Sequence, residues 1–113
     1  MRVNIKPLSV NQAWQGKRFK TKQYKQYEKE LLLVLPDFEI PEGKLKMDIT
    51  FALSSKNADI DNPIKCFVDI LQKKYNFNDR NIYKMNITKK DVKKGCEYIK
   101  FNIRNIEKPK TKT

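Results

Sequence analysis

Apolar residues return at two different intervals along this chain, and each interval dictates a different backbone. Val3 and Ile5 alternate with polar neighbours, which predicts a short strand over Arg2–Lys6. Pro7 to Gly16 reads as a loop. From Thr21 onward the spacing changes: Tyr24, Tyr27, Leu31 and Val34 recur every three or four residues. That is the period of a helix with one buried stripe. Thr21 is its cap, Pro36 ends it near Leu35, and Lys22, Lys25 and Lys29 fall on its wet side. After a connector over Pro36–Gly43, Leu45, Met47, Ile49 and Phe51 alternate along Lys44–Leu53 and predict a half-buried strand. Ile64, Phe67, Val68 and Leu71 then form a second helical stripe, with Asn62 as the expected N-cap and Pro63 at the first helical position. Tyr75–Asn81 turns the chain. Ile82–Thr88 and Glu97–Ile103 read as strands joined across Lys89–Gly95. The order β-α-β-α-β-β predicts one small α+β domain over residues 1–106, a mixed sheet flanked by helices, followed by a disordered basic tail over 107–113.

Charge changes the picture from a fold to a class of partner. The 113 residues hold 25 lysines and arginines against 13 acidic residues, a net charge of +12, so the surface attracts polyanions. The excess is uneven. Residues 1–35 carry 8 basic and 2 acidic groups and residues 84–113 carry 10 and 3, whereas residues 36–83 carry 7 and 8. Basic arms around an acid-rich middle suit a polyanion held over a carboxylate cluster. A lysine-rich composition with no site behind it produces the same totals, and both readings stay open at this point.

Absences narrow the chemistry. The chain has no histidine, which removes Ser-His-Asp hydrolysis, histidine-based zinc sites and imidazole bases. Its three glycines, Gly16, Gly43 and Gly95, form no phosphate-binding loop. Leu31–Leu35 is the longest apolar run, far below the roughly 20 residues a membrane helix needs. Arg2, Asn4 and Lys6 stand where an export signal would need an apolar core, so a cytoplasmic location with no membrane partner is expected. Cys66 and Cys96 lack C-x-x-C spacing and are read as reduced packing residues.

What remains is carboxylate chemistry. Asp59 and Asp61 are two apart, so in extended chain both side chains leave one face with Cα atoms about 7 Å apart. Such a pair can share a hard cation, and Mg²⁺ is typically held by one or two carboxylates together with waters and substrate phosphates. Asp79, just before the Ile82 strand, is the candidate third acid if sheet geometry brings it beside the pair. Lys65, one turn into the second helix, is placed to meet the same phosphate. Each residue also has an ordinary role: helix capping for Asp59 and Asp61, turn chemistry for Asp79, and an i,i+4 ion pair with Asp69 for Lys65. Trp14, Phe19 and Tyr24, interleaved with Lys17, Arg18, Lys20 and Lys22, read either as a nucleic-acid clamp or as core, with Trp14 and Tyr24 assigned to core.

The run Asp59-Ile60-Asp61-Asn62-Pro63-Ile64-Lys65, then Asp69-Ile70-Leu71, then Asn78-Asp79-Arg80-Asn81-Ile82, resembles the RusA family of Holliday-junction resolvases. The shared pattern is D-x-D-N-x-x-K, a helical F-x-D-x-L and a late acid before a strand. Pro7-Leu8-Ser9-Val10-Asn11 resembles the family's amino-terminal P-x-S-x-N segment. The likeness spans about Pro7 to Ile103. It implies a RusA-like fold, catalytic metal-binding carboxylates at Asp59, Asp61 and Asp79, assistance from Lys65, and Mg²⁺ as cofactor with Mn²⁺ as the alternative. It also implies a homodimer that nicks opposite strands of four-way or branched DNA in recombination and repair. Asn11, Lys17, Arg18, Lys20 and Lys65 are the candidate nucleic-acid contacts. One departure stands out: family members often carry paired acids at the late position, whereas Asn78 precedes Asp79 here. Two rivals follow from the residues alone: a noncatalytic basic nucleic-acid-binding module, and a metal nuclease acting on RNA or single strands.

Overall fold

The computed structural model describes residues 1–9, 14, 15 and 19–106. Asn11, Lys17 and Arg18, the side chains of Trp14 and Phe19, and the tail over 107–113 lie outside that description. The elements run β1 (Arg2–Val3), β2 (Trp14–Gln15), β3 (Phe19–Lys20), α1 (Lys22–Val34), β4 (Leu45–Leu53), α2 (Ile64–Tyr75), β5 (Ile82–Asp91) and β6 (Tyr98–Asn105). Four strands form a mixed sheet in the order β1-β6-β4-β5; β4 and β5 are parallel, and the other two pairings are antiparallel. The α+β architecture expected from the sequence is therefore present. A small antiparallel hairpin, β2 with β3, begins within the predicted first loop and ends beyond it, and its two-residue strands are too short to show as an alternating pattern.

Both helices pack on one face of the sheet. Leu45, Met47, Ile49, Phe51 and Leu53 from β4, with Ile99, Phe101 and Ile103 from β6, meet Tyr24, Tyr27 and Leu31 of α1 and Phe67, Ile70 and Leu71 of α2 in one core. The opposite face carries Lys46, Asp48 and Thr50 beside Lys100, Asn102 and Arg104, partly or fully exposed. Alternation along β4 thus separates an apolar side from a wet one. Phe67 lies at the centre of the core, edge-on to Phe51 at 5.8 Å and to Phe101 at 5.4 Å between ring centroids.

Local signals set most helix ends. The Thr21 side chain accepts from the Tyr24 N–H at 3.1 Å, as an N-cap does. α2 ends at Asn76 in the left-handed region (φ 55°), with the Asn76 N–H donating to the Gln72 carbonyl at 2.8 Å. Its start departs from expectation. The cap position is Pro63, which makes no side-chain cap bond, and Asn62 sits one residue too early to serve. A turn closed by the Asn62 N–H on the Asp59 carbonyl at 3.2 Å takes up Asp59–Asn62 instead.

The two cysteines separate. Cys66 is buried under α2 and burial pushes its thiol up to about 11, whereas Cys96 is exposed in the turn before β6, which corrects its reading as a packing residue. Gly95, at φ 92°, shapes that turn and leaves the next side chain in solvent. A neutral-pH titration with an aromatic disulfide reagent is expected to modify one thiol rapidly in the native protein and the second only after urea unfolding. Rapid reaction of both in the native state is the opposite result.

Candidate active site

β4, α2 and β5 build the site. Because β4 and β5 are parallel, the chain must cross over between them, and α2 is that crossover. β5 is the edge strand, so an open cavity of about 530 Å³ lies between it and the exposed side of α2. Asp61, Lys65, Asp69 and Asp79 line it, on a floor made by Ile64, Val68, Ile82 and Met85. Asp61 and Lys65, four residues apart at the start of α2, are thereby brought to one hollow with Asp79, which lies beyond the far end of the helix.

Asp59 is not among the residues lining that cavity. The extended geometry that would have aimed both aspartates the same way is replaced by the turn over Asp59–Asn62, and the first acid sits on the loop behind. Asp69, from the exposed side of α2, is the further acid in the cavity wall. Lys65 pairs with Asp69 at 3.4 Å along one face of α2, the i,i+4 pair the spacing predicts. That same contact holds the ammonium over the cavity.

Two residues that were not candidates for chemistry, Gln72 and Asn78, hold the Asp79 turn in place. Gln72 accepts from the Asp79 N–H at 2.8 Å and donates to the Asp69 carboxylate at 3.5 Å, tying the turn before β5 to the helix. Asn78 caps the short 3₁₀ turn at Asp79–Asn81 by accepting from the Arg80 N–H at 2.9 Å. The residue standing where the family often has another acid is thus a capping residue. On the other side, the Lys89 ammonium donates to the Lys56 and Ala58 carbonyls at 2.9 and 2.6 Å, fastening the loop that leads to Asp59 and Asp61 against β5. At the base of that loop the Ser54 hydroxyl donates to Glu97 at 2.7 Å and, with the Gly95 N–H, holds the Glu97 carboxyl below the ordinary carboxylate range. The contacts that matter most here have no sequence signature, since Gln72 meets Asp79 seven positions on and Lys89 meets Ala58 and Lys56 31 and 33 positions back.

The donor set is all oxygen. Asp59, Asp61 and Asp79 are exposed, and among the described residues their carboxylates make no hydrogen bond or ion pair. No three acids among the described residues stand close enough to hold an ion by themselves. The hard, unpaired carboxylates of Asp61 and Asp79 at an open hollow fit Mg²⁺ or Mn²⁺, a dication that keeps several waters and takes further oxygens from a bound phosphate. Among the described residues no helix is long and apolar enough to cross a membrane.

A basic α+β domain with carboxylates and a lysine around a hollow at its sheet edge carries the groups that a protein acting on phosphodiesters needs. The comparison with protein families is specific within that class. The model of endodeoxyribonuclease RusA matches residues 5–104, and the chain belongs to the RusA family of endodeoxyribonucleases. No curated protein matches it closely.

Proposed function

We propose that this protein is a divalent-metal-dependent endonuclease that resolves four-way DNA junctions, acting as a homodimer that makes paired symmetric nicks in recombination and repair. The observation that carries the reading is the convergence of Asp61, Asp69, Asp79 and Lys65 on one open hollow in a chain of the RusA family. Asp61 and Asp79, with Asp59 from the loop behind, are the residues that would hold the ion. A bound Mg²⁺ or Mn²⁺ supplies a water of lowered pKa and a Lewis acid for the phosphate. Lys65 binds a phosphate oxygen and offsets the charge that develops on it, while Asp69 keeps the ammonium aimed. Lys20 and the other lysines of the flanks grip the backbone of the DNA arms. A two-fold protein matches a two-fold branched substrate, which is why paired nicks call for two copies.

The test is end-labelled synthetic four-way junction incubated with the protein in Mg²⁺ and in chelator, beside linear duplex and RNA competitors, with solution mass from light scattering. Expected are cuts at symmetric positions in opposing strands, dependent on metal and on the branch, from a particle of twice the chain mass. Tight binding with no scission under any metal supports the noncatalytic module instead, and equal cutting of RNA moves the substrate.

Lys89 provides a prediction from the loop anchor. Lys89→Met is expected to slow junction cutting about tenfold, the scale of losing a charge-assisted hydrogen bond, and to raise the Mg²⁺ concentration needed for half-maximal rate. Lys89→Arg should recover part of both. A metal titration of cutting rates checks this, with urea unfolding run alongside to show that the fold is retained.

A further inference from the structure

We infer that Tyr83 is a stacking platform for an unstacked nucleobase beside the phosphate held in the cavity. The inference deepens the proposed function and rests on the cavity being a DNA site.

The register of the sheet singles this residue out. Leu45 pairs with Ile82 and Lys46 with Lys84, so Tyr83 is an extra residue on β5 with no partner on β4. An unbroken ladder would place the residue after Ile82 opposite Lys46 on the wet face. The irregularity gives that place to Lys84 and leaves Tyr83 free to aim elsewhere, which is what bulges beside active sites do. Its aim is the rim of the hollow lined by Asp61, Lys65 and Asp79.

The ring is not buried in the core, and its contact with the fold is the Lys44 ammonium over one face. Among the described aromatic side chains Tyr83 alone is exposed, at 63%, while Phe51, Phe67 and Phe101 fill the core. No hydrogen bond to its hydroxyl occurs among the described residues. The Lys44 ammonium stands 5.0 Å from the ring centroid, so a cation accompanies the aromatic surface and is placed to meet the phosphate that adjoins a stacked base. An aromatic plane next to a cation, on a strand that is an edge of the sheet among the described residues, is the arrangement that binds unpaired nucleotides.

This chemistry selects branched DNA. In a linear duplex every base is already stacked on both sides, and exposing one costs free energy. At the point of strand exchange stacking is interrupted, so a base reaches the ring at least cost. Tyr83 would then help discriminate a junction from the duplex arms that flank it.

The test is a binding cycle that removes the ring and the base in turn. Anisotropy in the absence of divalent metal compares wild type, Tyr83→Ala and Tyr83→Phe on a four-way junction with all bases present and on one abasic at the nucleotides flanking the exchange point. Expected is a tenfold to hundredfold weakening by Tyr83→Ala on the intact junction, little effect on the abasic one, and near-wild-type binding for Tyr83→Phe. Equal loss on both substrates, or no loss on either, overturns the platform. Cutting by wild type in Mg²⁺, measured on the same junctions, keeps the two readings apart: coupling between ring and base without any cutting supports the platform and removes the nuclease, whereas cutting without coupling does the reverse.

Discussion

Asp61→Asn is expected to abolish junction cutting while leaving the protein folded and still bound to DNA. The carboxylate is exposed and makes no hydrogen bond or ion pair with described residues, so replacing one of its oxygens with an amide nitrogen of the same size breaks no polar contact. It removes a formal negative charge from the cavity wall shared with Lys65 and Asp79. Affinity for a phosphate backbone should hold or rise, because one repulsive charge near it has gone. The rate should fall on the order of a thousandfold, the scale of losing a preorganised electrostatic contact at a reacting centre. Single-turnover cutting and anisotropy on the same preparation separate the two effects. Unchanged cutting would remove Asp61 from the mechanism and leave the cavity without its principal acid. Parallel loss of binding and cutting would instead make the residue structural.

Phe67→Ala is expected to be the most destabilising single substitution in the molecule. Phe67 is fully buried and touches rings from β4 and β6 at once, so it is the point at which α2 is held to the sheet. Truncating a buried phenylalanine costs about 3–5 kcal/mol in transfer and cavity terms. For a domain of this size that lowers the melting midpoint by roughly 15 °C or more. The functional consequence follows from position. α2 carries Lys65, Asp69 and Gln72, and through Gln72 it holds the Asp79 turn. Junction cutting should therefore disappear at temperatures where the wild type is still active, and return on cooling to where the variant is folded. Phe67→Leu, which keeps most of the volume, should lose much less. Thermal melts and urea curves give the stability, and cutting assays at matched fraction folded give the site effect.

The two substitutions act at different levels of the same structure, and the sequence exposes them unequally. Phe67 is visible as part of the stripe Ile64, Phe67, Val68 and Leu71, because helix period is a local property. Its place as the hinge between two strands is not, because Phe51 and Phe101 come from opposite sides of the chain. Asp61 is visible through its spacing to Lys65, which survives since both residues flank one helix start. The same-face argument for Asp59 fails, since it assumed extended chain where the backbone turns. Asp69 reads from spacing as a surface ion pair. That pair forms, and both of its members also line the candidate cavity.

By itself the sequence determined the two helices and the long strands, the cap at Thr21 and the end near Pro36, the apolar face of β4 and the basic surface, and it singled out Asp61, Lys65 and Asp79 as candidates. All of these depend on residues within about one or two turns of each other, where period and side-chain chemistry decide. The tertiary structure decided which acids share a hollow, that Gln72 and Lys89 anchor them, and that Tyr83 is displaced from the ladder to the cavity rim. Those facts depend on the parallel pairing of β4 with β5 across the α2 crossover. A crossover joins residues tens of positions apart through a register fixed by core packing, and no local pattern records it.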